Sequence, residues 1–191
     1  MPSASLRTWA GPRAAKLDEI EAAHAALSGS GRGRRWATEQ VNHAYAVLLS
    51  SQFQAFCRDL HSECVDGLVG AVSDHPTEKI VRAQFVLLRR LDRGNPTPGN
   101  IGADFDRLGL ELWPAVRNID SRNASRQLRL EQLSAWRNAI AHQDFGRSPL
   151  VPARLHLATV RAWRRTCDAL AHSFDRVLRG YLAHITGSKP W

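Results

Sequence analysis

The sequence predicts an all-α fold, an up-and-down bundle of about five helices. Apolar residues recur at i, i+3, i+4 spacing along most of the chain, and no segment shows the alternation typical of a strand. Clusters of Gly, Ser and Pro separate these periodic segments. The length of 191 residues and the hydrophobic content of 43% suit one domain, 1–191. We place its core at about 14–185, with frayed termini.

The first two predicted helices lie on either side of a basic connector. The first helix covers about 14–27, and the connector is SGSGRGRRW, residues 28–36. Thr38 is the expected N-cap of a long second helix that reaches about residue 70. An apolar stripe predicts the buried face of this second helix: Val41, Tyr45, Leu48, Leu49, Phe53, Phe56, Leu60, Cys64 and Leu68.

The second half of the chain is divided by its proline-rich segments. Pro76 and Thr77 predict the start of a third helix, and RGNPTPGNIG (93–102) ends it. Trp136 and Trp163 are interpreted as core anchors of two later helices. The predicted elements are a helix over about 77–91, short helical turns over 103–123, a helix over about 125–142 and a last helix over about 159–185.

Charge and cysteine content indicate the environment and the class of partner. The formal net charge is +8, with 23 Arg against 3 Lys, which favours an acidic partner such as nucleic acid. Cys57, Cys64 and Cys167 lack metal-site spacing and are interpreted as reduced core thiols. With no apolar signal core and no run of about 18 apolar residues, we expect a cytoplasmic protein without a membrane span.

The segment SAWRNAIAHQDFG (134–146) carries the candidate site. Arg137 precedes His142 with four residues between them, and Asn138 lies one helical turn before His142. Spacing alone is weak, because about three such Arg-to-His pairs are expected by chance at this composition. Two more occur, Arg165 with His172 and Arg179 with His184. Both lie on a helix rich in charge and are interpreted as solvent-facing.

The surroundings of Arg137 and His142 differ from those of the other two Arg-to-His pairs. On a helical wheel Asn138 and His142 lie roughly 150–170° from the core-facing side. The other residues on their side are small rather than charged: Ser134, Ala135, Ala139 and Ala141. A small face lets another backbone approach closely, so we infer that this helix is covered on both sides, by the core and by another helix. A two-fold related subunit is one candidate for that second helix.

A structural interpretation of the same residues stays open. In it, His142 satisfies backbone carbonyls at the helix end and Arg137 pairs with a carboxylate.

The segment LEQLSAWRNAIAHQDF closely resembles the catalytic segment of the HEPN superfamily (higher eukaryotes and prokaryotes nucleotide-binding domains). That family has a helical bundle with an Arg-x4–6-His motif on a late helix. The resemblance extends over about 14–185, although its specific part is RNAIAH. The sequence departs from the pattern after His142, where many relatives have Gly and this chain has Gln143.

The resemblance implies a metal-independent endoribonuclease without a cofactor. The ribose 2′-hydroxyl would attack the adjacent phosphate, leaving a 2′,3′-cyclic phosphate and a 5′-hydroxyl. His142 would act as acid or base, Arg137 would bind phosphate, and Asn138 would orient either group. Because one histidine cannot easily be acid and base together, a homodimer through 134–142 is expected.

Several roles and partners are consistent with this sequence. RNA is the expected partner. The expected role is that of the toxin in a toxin–antitoxin pair, with an antitoxin protein as a further partner, or that of a phage-defence effector. The alternative is a non-catalytic HEPN-like module that binds RNA, a nucleotide or a protein. A third interpretation is a helical interaction protein whose motif is coincidental.

Overall fold

The computed structural model describes residues 1–27, 34–70, 75–146 and 154–191, and within these ranges the chain is helical without strands. The predicted all-α class is therefore confirmed. The helices are α1 Ala4–Thr8, a π-helical turn Trp9–Arg13, α2 Ala14–Leu27, α3 Arg34–Val69, α4 His75–Val86, a 3-10 turn Arg90–Asp92, α5 Pro98–Asp106, α6 Leu112–Ile119, α7 Asn123–His142 and α8 Leu157–Thr186.

Helix α3 is the centre of the fold and packs against α1, α2, α4, α7 and α8. Its predicted stripe is largely correct: six members are fully buried, and Val41, Leu48 and Leu68 are half-buried. The predicted caps are wrong, because α3 begins at Arg34 and α4 at His75, so Thr38 and Thr77 lie inside their helices. Residues 28–33 of the predicted connector lie outside the described residues, and 34–36 belong to α3.

The segment before residue 14, expected to be frayed, is helical and packed. Ser3 caps α1 by accepting a hydrogen bond from Leu6 N at 3.0 Å, and its own N–H donates to Asp175 Oδ1 at 2.9 Å. Trp9 is buried against Phe53 and Phe56 of α3. Residues 4–13 thus contribute directly to the hydrophobic core.

Helix α8 buries the other long apolar face. Helical spacing predicts that Trp163, Cys167, Leu170, Phe174 and Ile185 face the core. The first four are buried, whereas Ile185 is 50% exposed. The predicted short turns over 103–123 are the two helices α5 and α6. No helix in the described ranges is long and apolar enough to cross a membrane.

The three cysteines are free thiols, as predicted. Cys57, Cys64 and Cys167 are all buried. Burial raises the pKa of each thiol well above its ordinary value, because a thiolate is poorly solvated in the core.

Candidate functional site

The C-terminal half of α7 is oriented by the residues it buries. Leu130, Leu133 and Trp136 are almost completely buried, and Ile140 packs at the edge of the core. Burying each large side chain stabilises the fold by about 2 kcal/mol, so the rotation of α7 about its axis is strongly fixed. This rotation leaves Asn138 and His142 exposed, as the wheel predicted.

An aromatic cluster holds the chain immediately after α7. The His43 ring of α3 stacks on Phe145 with centroids 5.7 Å apart and lies 6.0 Å from the ring of Trp136. Burial lowers the pKa of His43, and the nearby Glu39 carboxylate opposes this effect. A largely neutral imidazole therefore packs under the turn that follows His142.

The turn after α7 satisfies the end of the helix without the His142 ring. Gln143 has a left-handed backbone, with φ of 53°, and Asp144 N donates to Ala139 O at 3.0 Å. Gln143 also donates to Ile140 O from its backbone N at 3.4 Å and from its side-chain Nε2 at 2.9 Å. These bonds form a Schellman-type cap. Within the described part of the chain, the His142 ring makes no hydrogen bond or ion pair.

The exposed side of α7 forms one wall of an open cavity of about 530 Å³. Asn138 and His142 both line it. The full lining comprises Thr97, Glu131, Ser134, Ala135, Asn138, Ala139, His142 and Asp144.

Arg137 lies beside this cavity and is half-buried. Its guanidinium Nη1 donates to Asn138 Oδ1 at 3.4 Å, and it makes no ion pair with the described residues. The structure thus brings Asn138 and His142 to one cavity and connects Arg137 to that cavity through Asn138. The carboxylate partner expected for Arg137 in the structural interpretation is not found in these ranges.

Another part of the wall comes from the loop before α5, a segment that the sequence predicts only as the end of a helix. Asn95 Nδ2 donates to Asn138 Oδ1, and Ser134 Oγ donates to Pro96 O at 3.5 Å. Thr97 lines the cavity and caps α5 by accepting from Asn100 N at 3.1 Å. Part of the small face of α7 is therefore covered by this chain itself, and Ser134 is buried beneath that loop.

Hydrogen bonds with Gln54 and Asp104 hold the segment that leads into this loop. Gln54 Nε2 of α3 donates to Leu91 O at 2.6 Å and to Gly94 O at 2.9 Å. The Asp104 carboxylate accepts from Arg90 N at 2.8 Å and from Leu91 N at 2.9 Å. Because both ends of the short segment that leads to Asn95 are held, its position opposite Asn138 is well defined.

The charge of the cavity wall is mixed. His142 and the amide of Asn138 offer hydrogen-bond donors, and Arg137 adds a permanent positive charge nearby. Glu131 and Asp144 add carboxylates to the same wall. Among the described residues, no group of three or more His, Cys, Asp or Glu could hold a metal ion.

Comparison of the chain with protein-family models, curated proteins and solved structures gave no match. The function is therefore inferred from the chemistry of the cavity and from the resemblance carried by residues 137–142.

Proposed function

We propose that the protein is a metal-independent endoribonuclease of the HEPN type, with Arg137, Asn138 and His142 as its catalytic residues. The observation that carries the proposal is the cavity at the end of α7. Asn138 and His142 line it, Arg137 is hydrogen-bonded to Asn138, and the helix end is capped without the His142 ring. All three side chains are thus available to a phosphodiester without breaking a helix cap.

The proposed reaction needs only groups that RNA and this chain supply. A base removes the proton of the 2′-hydroxyl, the 2′-oxygen bonds to phosphorus, and the bond from phosphorus to the 5′-oxygen breaks. An acid gives its proton to the departing 5′-oxygen. Arg137 and the Asn138 amide donate to phosphate oxygens as negative charge develops on them. The products are a 2′,3′-cyclic phosphate and a 5′-hydroxyl.

His142 supplies one of the two proton transfers, and a second copy of the chain supplies the other. An imidazole can act as an acid or as a base near neutral pH. Ser134 and Ala139 are already buried, so the proposed dimer contact uses the still accessible side of 134–142: Ala135, Asn138, Ala141 and His142. The fold proposed with this function is the HEPN-like bundle, and RNA and an antitoxin are the proposed partners.

The direct test is RNA cleavage in EDTA by the wild type, Arg137→Ala and His142→Ala. We expect cleavage by the wild type, loss of at least about a hundredfold in each variant, and cyclic-phosphate ends on the product. Matched controls are Arg129→Ala on the same helix and His184→Ala on α8, both at exposed positions. Cleavage that survives both substitutions would overturn the site. Light scattering measures the oligomeric state, and a monomeric active enzyme would overturn the shared-histidine mechanism.

The physiological proposal is a toxin or phage-defence effector. Induced expression of the wild type should arrest growth of a bacterial host, while His142→Ala should not. Growth arrest that is equal for both would contradict this role.

A second candidate is a non-catalytic module that binds RNA, a nucleotide or a protein. The exposed Glu131 carboxylate on the cavity wall favours binding without catalysis, because it opposes the negative charge that develops on a phosphate during cleavage. Salt-sensitive RNA binding by a purified protein that produces no new RNA ends would support this function over the nuclease.

A further inference from the structure

A row of basic side chains follows the outer face of α8. Arg165, His172, Arg176 and Arg179 fall within about 60° of one another on a helical wheel, and the row extends for about 21 Å. Arg165, His172 and Arg176 are exposed, and Arg179 is half-buried. We call these four residues the α8 basic row. It includes members of both Arg-to-His pairs that the candidate site does not use.

The carboxylates that helical spacing would pair with this row are engaged elsewhere. Asp175 lies four residues before Arg179, yet its Oδ1 accepts the N–H of Ser3 and its side chain is buried. Asp168 lies three residues after Arg165, yet its Oδ1 accepts the indole N–H of Trp9 at 3.0 Å. Ser3 and Trp9, at the two ends of α1, thus engage both carboxylates, and neither carboxylate forms an ion pair with an arginine of the row.

Two other arginines of α8 differ from the row, because each forms an ion pair with a carboxylate. Arg161 pairs with Glu21, and Arg164 pairs with Asp18 at 2.7 Å, so both are neutralised by α2. Within the described ranges, Arg165, Arg176 and Arg179 make no ion pair. The positive charge of these three arginines therefore faces solvent without an ion pair, whereas His172 interacts electrostatically with Asp168.

The row is flanked by small residues rather than by exposed apolar ones. Ala169 lies between its members, and Gly180 and Ala183 continue the same side of the helix beyond Arg179. The exposed apolar residue Ile185 of α8 lies about 150° from the row on the helical wheel. An interfacial membrane helix needs exposed apolar side chains beside its basic ones. The row lacks such anchors and matches a linear polyanion with regularly spaced charges.

We propose that the α8 basic row binds the phosphodiester backbone of nucleic acid without reading its bases. Arginine forks hold phosphate oxygens, and each phosphate contact releases condensed counterions. The proposal goes beyond the cavity at His142, because it assigns a separate surface that gives affinity rather than chemistry. It predicts that DNA binds as well as RNA, since no group in the row depends on the 2′-hydroxyl.

The test uses the full chain and a fluorescent single-stranded DNA of 20 nucleotides, followed by anisotropy over a range of salt concentrations. DNA lacks the 2′-hydroxyl, so the proposed cleavage cannot interfere. The test variant is Arg165→Gln/Arg176→Gln/Arg179→Gln. The control is Arg58→Gln/Arg122→Gln/Arg154→Gln, which removes the same charge from exposed arginines that are paired with Asp92, Asp120 and Glu39.

We expect the test variant to bind at least about tenfold more weakly, and the slope of log K against log salt to fall by about 2, or 0.7 for each lost phosphate contact. The control should change affinity by less than about threefold. Equal losses in the two triple variants, or an unchanged slope, would overturn the proposal. Circular dichroism checks folding, and Arg176→Gln alone should give about a third of the change in slope.

The outcome is separable from the proposed nuclease. If the wild type cuts no RNA but the row variant loses DNA binding, the nuclease is wrong and the row stands. If the wild type cuts RNA and the row variant binds like the wild type, the nuclease stands and the row is wrong.

Discussion

Asn95 donates a hydrogen bond from Nδ2 to Oδ1 of Asn138 and so ties the loop before α5 to the exposed side of α7. Arg137 Nη1 donates to the same oxygen. With two donors at Oδ1, the amide oxygen of Asn138 is fully used within the protein. Its Nδ2 group makes no hydrogen bond with the described residues and is the part of the side chain that can donate to a ligand.

Asn138→Asp separates the structural and chemical roles of this side chain. The variant keeps an oxygen to accept from Asn95 and Arg137, so we expect thermal stability to be unchanged or slightly higher. It loses the donor and places a negative charge beside phosphate, so RNA cleavage should fall about a hundredfold or more. Asn138→Ala is the comparison, because it removes the oxygen too and should lower the melting temperature. Full activity in Asn138→Asp would show that the amide donor is not used.

Replacing Gln143 with glycine should give a more stable protein than replacing it with alanine. Its φ of 53° is costly for residues with a Cβ, by about 1 kcal/mol. Gln143→Gly and Gln143→Ala both lose the side-chain bond to Ile140 O, so their difference isolates the backbone conformation. We expect the glycine variant to be more stable by about 1 kcal/mol in urea unfolding. Equal stability would mean that the turn after His142 has another conformation.

His61 should make the fold sensitive to acid. Its Nε2–H donates to Asp104 O at 3.1 Å, its Nδ1 has no partner, and burial lowers the pKa to about 4 from 6.5. The unfolded state therefore takes up the proton first as pH falls. The lowered pKa of His61 therefore contributes about 3 kcal/mol to the free energy of unfolding. This contribution is complete above pH 6.5 and is lost as pH falls through about 4.

His61→Gln is the matched variant for this effect, because a glutamine amide can still donate to Asp104 O. Urea unfolding between pH 7 and pH 4 should show a smaller loss of stability in the variant than in the wild type. Parallel losses in the two proteins would assign the acid sensitivity to other groups.

Phe145→Ala should raise the pKa of His43 towards its ordinary value. Burial is the largest cause of the lowered pKa, and Phe145 covers one face of the imidazole ring. Titration of the His43 ring protons by NMR measures the change directly. Phe85→Ala removes a partly buried phenylalanine elsewhere and is the control, since it should leave the pKa of His43 unchanged. If the pKa of His43 stays lowered in Phe145→Ala, residues other than Phe145 cause the burial of the ring.

The helices of the central core could be predicted because their buried residues recur at helical spacing along the sequence. The stripe from Tyr45 to Cys64 and the face from Val160 to Phe174 follow helical spacing closely. Residues 4–13 could not be predicted in this way, because Gly11 and Pro12 interrupt the local pattern. Their order comes from distant partners, since Trp9 packs on α3 and donates to Asp168 of α8.

The part of the candidate site on α7 could also be predicted from the helical spacing of buried residues. The wheel placed Asn138 and His142 together on the side of α7 opposite the core, because Trp136 and Ile140 mark its core-facing side. The loop residues Asn95 and Thr97 were missed, since the hydrogen bond to Asn138 joins positions 43 residues apart. Nothing local in Asn-Pro-Thr-Pro distinguishes a loop that completes a cavity from one that only ends a helix.

The buried thiols of Cys57, Cys64 and Cys167 provide a built-in reporter of transient opening. The thiolate is the form of cysteine that attacks an alkylating reagent, and in the closed core these groups are both protonated and covered. Modification can therefore proceed only during excursions that expose the centre of the molecule. The rate at which an intact protein gains mass in iodoacetamide would rank variants by the frequency of those excursions, with no denaturant and no dye.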